Sequence, residues 1–194
     1  MNLTYNDDIF YIIGVDPGTK TGVAVYGIDK DFNIKSITPY TIYLDSYVDT
    51  ESNSFTKDAD RYLALGNLIT ELMEKYNPVG LSIESSFINK KFMGSGMKVA
   101  TYISVVIFAA KKYNKDLLVV KLAPKQVKKW MGDATADKDA MKEFVVKLFR
   151  DMFKEDISHI LTFENLTEHS IDAMAIGHNF LEIIRNAPYL ILGK

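Results

Sequence analysis

Ile9-Phe10-Tyr11-Ile12-Ile13-Gly14-Val15-Asp16-Pro17-Gly18 is an apolar run that ends on an acid and then on a Pro-Gly turn. That is how a buried strand delivers a carboxylate at its tip. Apolar character resumes over residues 21–28, so the two runs read as a hairpin. Residues 33–44, with Ile34, Ile37, Thr41, Ile42 and Tyr43, predict a third strand. A second run, Val79-Gly80-Leu81-Ser82-Ile83, ends on Glu84 in the same way. Two strand-end acids set the question that the rest of the chain answers.

The intervening segments alternate. Residues 45–58 are polar and acidic and predict a long loop. Residues 59–76 carry Leu65, Leu68, Ile69, Leu72 and Met73 at helical spacing, and Asn77-Pro78 stops them. A small-residue-rich apolar helix is expected over 97–113, a strand over 117–122, and a short helix opening at Pro124. Amphipathic spacing predicts a helix over 137–153. A last helix is expected over 165–185, with Asn165 and Glu168 as a capping box. Three strands followed by alternating helix and strand imply an α/β fold, a mixed sheet with helices packed on it. No linker, repeat or low-complexity tract divides the chain, so residues 1–194 read as one domain, with the 45–58 loop as an insertion and 186–194 as a short tail.

Composition narrows the classes. The chain has 194 residues, 47% hydrophobic and 25% charged, with a net charge of -2, ordinary for a globular protein. No apolar run reaches transmembrane length and the N-terminus is polar and acidic, so neither a membrane partner nor a secretory signal is expected. The absence of cysteine excludes disulfides and thiolate metal sites and fits a reducing, cytoplasmic setting. Any contact with nucleic acid must come from a local basic face, because the global charge does not supply one.

His169 and Asp172 lie three apart on the last helix and so face the same way. Two strand-end acids plus this pair can hold two divalent cations, a standard device for cutting phosphodiesters. Oxygen donors suit Mg²⁺, with Mn²⁺ as a substitute. Each residue also has a plainer reading: Asp16 as a turn residue, Glu84 as a rim charge, His169 as a ring bonded to solvent. The lysines that follow, Lys90, Lys98, Lys125, Lys128 and Lys129, with Lys20 beside Asp16, can bind phosphates without reading sequence, or simply solvate a helix face.

Four blocks resemble the RuvC-type Holliday junction resolvases of the ribonuclease H-like superfamily. They are Gly14-Val15-Asp16-Pro17-Gly18-Thr19-Lys20-Thr21-Gly22; Tyr76-Asn77-Pro78 with Ile83-Glu84-Ser85-Ser86-Phe87; Leu122-Ala123-Pro124-Lys125-Gln126-Val127-Lys128-Lys129 with Gly132, Ala136 and Lys138; and His169-Ser170-Ile171-Asp172-Ala173. Each is weak alone; four in order across residues 10–183 are specific. The resemblance implies helices on both faces of the sheet, a two-metal site from Asp16, Glu84, His169 and Asp172, and a substrate of branched, four-way DNA. It implies a phosphate-contacting Lys138, a Phe87 that stacks on an unpaired base, and a homodimer formed through the 97–110 helix. His169 stands where many members carry an aspartate. Preference for Lys, Asn and Ile over Arg suggests an AT-rich genome, and a phage or viral source fits that usage. Three rivals remain open, one of them a non-catalytic nucleic-acid-binding module that keeps the scaffold, against which the intact acids argue. An actin- or sugar-kinase-like ATPase fragment shares the Gly14-x-Asp16-x-Gly18-Thr19 pattern but lacks a second phosphate motif. Another ribonuclease H-like nuclease, acting on flapped DNA or RNA, would share the acids.

Overall fold

The computed structural model describes residues 9–85, 93–130, 138–152 and 166–192. The strands are β1 Phe10–Asp16, β2 Lys20–Ile28, β3 Ile34–Tyr43, β4 Gly80–Glu84 and β5 Leu118–Leu122. The helices are α1 Ser54–Tyr76, α2 Met93–Tyr113, α3 Pro124–Trp130, α4 Lys138–Met152, α5 Glu168–Asn186 and the short α6 Tyr189–Leu192. The sheet order is β3-β2-β1-β4-β5. β1–β2 and β2–β3 are antiparallel, while β1–β4 and β4–β5 are parallel, as the alternating order requires.

Pleating sorts each strand into two faces. Ile13, Val15, Val23, Val25, Leu81 and Ile83 point into a core shared with α1 and α2. Ile12, Ala24, Tyr26, Ile28 and Ile37 point into a second core built on α5. Helices therefore cover both faces, as expected. Gly14 and Gly22 let α5 lie directly on the sheet. A Cβ on Gly22 would sit 1.8 Å from the His169 carbonyl oxygen, and one on Gly14 would sit 2.4 Å from that of Ala173. Buried Ser82 donates toward the Ile13 and Ile176 carbonyls, and the Tyr26 hydroxyl donates to the Met174 carbonyl, tying β4 and β2 to α5. Pro39 sits mid-way along the edge strand β3, opposite Ala24, where an imino acid is tolerated because its missing N–H faces outward.

Two expectations are corrected. The stretch 45–58 is not one long loop. Leu44–Tyr47 forms a single 3₁₀ turn and α1 begins at Ser54, because the Asn53 side chain caps it by accepting from the Thr56 amide. The last helix begins at Glu168 rather than 165. Its capping box is Thr167 with Ser170, each side chain accepting from the other's amide, and Glu168 is simply the first helical residue. The C-terminal tail carries the short helix α6.

Candidate active site

The site is assembled by one face of the sheet. On β1 the alternation that turns Ile12 and Gly14 toward α5 turns Asp16 the same way. On β4 it does the same for Gly80, which abuts Phe180, for Ser82 and hence for Glu84. The parallel register pairs Val15 with Ile83, so Asp16 and Glu84 come level at the C-terminal ends of adjacent central strands. Backbone pairing continues past the acid: the Ser85 amide donates to the Leu122 carbonyl.

α5 brings the other two groups. Its first turn is held to the sheet by a hydroxyl–hydroxyl bond of 2.6 Å between Thr41 on β3 and Thr167. His169 then lies over Gly22, and its Nδ1 is 3.0 Å from Asp16 Oδ2. Against an ionised Asp16 carboxylate, which only accepts, Nδ1 is the donor and Nε2 is the ring's other nitrogen. Glu168 Oε1 is 3.6 Å from Nε2, too far for a hydrogen bond. Asp172, one turn on, is half-buried.

Electrostatics joins the three carboxylates. Burial, then the charges of Asp16 and Asp172, push the Glu84 carboxyl up from its ordinary 4.5 to about 7, while the Lys128 ammonium opposes the rise. Like charges converging in a half-buried cleft need a counter-charge. The donor set is mainly carboxylate oxygen, which suits a hard divalent cation. Among the described residues, however, no three His, Cys, Asp or Glu side chains are arranged as a ready-made metal cluster. His169 is bonded to Asp16 rather than turned with it toward a common centre. The chemistry of the donors, carboxylate oxygen with one imidazole, is what fits a metal here.

The lysines divide. Lys20 is exposed at the start of β2, and Lys125 and Lys129 are exposed on α3. Lys128 is half-buried and close enough to act on Glu84. Lys98 is engaged at 2.9 Å by Asp58 of α1. Lys138 opens α4; Phe87 and Lys90 lie outside the described residues. Sequence reasoning missed Thr167, whose hydroxyl sets the position of α5. Its signal was the Thr-x-x-Ser spacing, which competed with Asn165-x-x-Glu168.

The broad apolar face expected on α2 also divides. Tyr102, Ile103 and Val106 are buried in the core, whereas Phe108 is 71% exposed. Together with Tyr62, Leu63, Gly66 and Val105 it lines a groove of about 580 Å³ between α1 and α2.

Comparisons agree with this geometry. The family model described as crossover junction endodeoxyribonuclease RuvC matches residues 12–178. The crossover junction endodeoxyribonuclease RuvC of Paenarthrobacter aurescens is 31% identical over 141 residues, covering 72% of this chain and 69% of that protein. The protein of the same name from Protochlamydia amoebophila is 25% identical over 182 residues, covering 92% and 95%. In fold, the chain is similar to T. thermophilus RuvC in complex with Holliday junction substrate, with a TM-score of 0.67 and 18% identity, covering 91% of this chain and 96% of that one. It is also similar to the yeast mitochondrial Holliday junction resolvase Ydc2, with a TM-score of 0.62 and 16% identity, covering 94% and 86%.

Proposed function

Because the chain belongs to the RuvC family of crossover junction endodeoxyribonucleases, we propose that it resolves four-way DNA junctions by metal-dependent phosphodiester hydrolysis at Asp16, Glu84, Asp172 and His169. The observation that carries this reading is electrostatic. Burial, with the charges of Asp16 and Asp172 beside it, holds the Glu84 carboxyl at about 7, so three carboxylates from two strands and one helix meet in one half-buried cleft.

Asp16, Glu84 and Asp172 would hold Mg²⁺, with Mn²⁺ able to replace it. When bound, such ions supply the charge that generates a nucleophilic water and steadies the departing 3′ oxygen. His169 orients the Asp16 carboxylate through Nδ1 and keeps Nε2 for a ligand or a proton. Lys128 partly offsets the carboxylates and, with exposed Lys125 and Lys129, offers the substrate backbone a cationic rim. Loss of the 3′ oxygen leaves 5′-phosphate and 3′-hydroxyl ends.

A four-way junction presents two equivalent scissile phosphates, so a two-fold homodimer is the matching assembly. The α1–α2 groove, with exposed Phe108 and Leu63, supports that contact. The whole chain acts as a single nuclease domain. Among the described residues no helix is long and apolar enough to cross a membrane, and the cytoplasm is the proposed location.

The test uses labelled four-way junction, flap, duplex and single strand, each with Mg²⁺, Mn²⁺ or chelator. Paired nicks in the junction with either metal and none in chelator are expected, and Asp16→Asn should bind without cutting. A protein that cuts flaps and single strands but never junctions would leave only a nuclease of this fold.

A further inference from the structure

On the face that carries Asp16, β2 and β3 extend beyond the active-site row. Asp16 pairs with Gly22, and Gly22 with Thr41. The Thr41–Thr167 bond shows that this row faces α5. Two residues further along the same pleat, Lys20 pairs with Tyr43. The first turn of α5 lies over Gly22 and Thr41, and both Lys20 and Tyr43 are exposed. Tyr43 is 49% exposed, and Lys20 Nζ stands over its ring at 5.9 Å from the centroid. By strand geometry, the Lys20 backbone lies about 8 Å and that of Tyr43 about 12 Å from that of Asp16.

We infer that Tyr43 and Lys20 form a substrate-positioning shelf that holds a nucleotide flanking the scissile phosphate, the ring stacking on its base and the ammonium meeting a backbone phosphate. The inference rests on the nuclease reading above. Its own support is threefold. An exposed aromatic and a cation are placed together at the site's rim, the pairing that binds single-stranded nucleic acid without reading sequence. The acid nearest to Tyr43 in sequence, Asp45, is already held by Arg61 at 2.6 Å and so competes less with a phosphate for the Lys20 ammonium. The shelf is also rigid: the Leu44 amide donates to the Thr19 carbonyl at 3.0 Å, closing the β3 end onto the turn that follows Asp16. An unpaired base near the cut is what a junction offers at its centre and a plain duplex does not, so the shelf would favour branched over linear DNA.

The experiment places 2-aminopurine next to the cleavage site of a four-way junction and, separately, in a short single strand. Binding is read by fluorescence in chelator, and cleavage by steady-state kinetics in Mg²⁺. Stacking on Tyr43 should quench the probe. Tyr43→Ala should lose the quench and raise Kd and KM about tenfold with kcat within about twofold. Tyr43→Phe should keep the quench and the affinity, since the ring and not the hydroxyl is used. Lys20→Gln should weaken binding and flatten its salt dependence. A Tyr43→Ala variant with unchanged Kd, or a Tyr43→Phe variant as weak as Tyr43→Ala, would overturn the shelf. Failure of the nuclease reading looks different: wild-type protein would bind and quench the probes yet cut no junction in Mg²⁺.

Discussion

Replacing Glu84 by glutamine should make the metal-free protein more stable at neutral pH while abolishing cleavage. Glu84 is pushed from 4.5 to about 7 by burial and by Asp16 and Asp172. The folded protein therefore holds that proton more tightly than the unfolded chain. Stability from this group is complete below its unfolded value and is lost as pH rises through about 7. At pH 8 the ionised carboxylate costs about 3 kcal/mol relative to a neutral group of the same shape. For a chain of this size that corresponds to a Tm gap of about 10 °C. Thermal unfolding of wild type and Glu84→Gln, in chelator, should give coincident midpoints near pH 4 and a widening gap up to pH 8, with the variant higher. Adding divalent metal should narrow or invert the gap, because the wild type binds it only when folded. A Gln variant no more stable than wild type at pH 8 in chelator, or an offset independent of pH, would refute the buried setting of Glu84 beside Asp16 and Asp172.

Three further outcomes follow from the same geometry. Gly22→Ala places a methyl against the His169 carbonyl, so it should cost about 3 kcal/mol and, by displacing His169, lower turnover about a hundredfold; denaturant melts and junction kinetics check both. His169→Ala should cut turnover strongly, whereas His169→Asp should keep substantial activity, a carboxylate replacing the imidazole as ligand; equal activity of the alanine variant and wild type would remove His169 from the mechanism. Phe108→Glu, on the exposed face, should give a folded monomer by sedimentation that nicks a cruciform plasmid without linearising it, while Ile103→Lys, in the core, should simply unfold.

Strand periodicity made the sheet and its two acids legible, because an apolar run that ends on a carboxylate carries both its location and its exposure. Helix spacing did the same for His169 and Asp172. What escaped the sequence depends on partners distant in the chain. The start of α1 was hidden because Asp58 reads as a loop charge until Arg61 and Lys98 are seen to pair with it. The cap of α5 was misassigned because two capping signals overlap within six residues, and Thr41, 126 residues away, engages Thr167. The apolar surplus of α2 could not be divided by sequence into Ile103 and Val106, which face the core, and Phe108, which does not. Nor could spacing reveal that His169 bonds Asp16.

Pro39 has a consequence for how copies of this chain can meet. A free edge strand invites a second molecule to extend the sheet, hydrogen bond by hydrogen bond. On β3 the outward ladder lacks a donor at its middle, and on the opposite edge β5 spans only five residues. Lateral zipping of two sheets into a continuous ribbon is thus disfavoured at both margins. The homodimer proposed above is therefore left with its helices, and not its sheet margins, for the contact between copies.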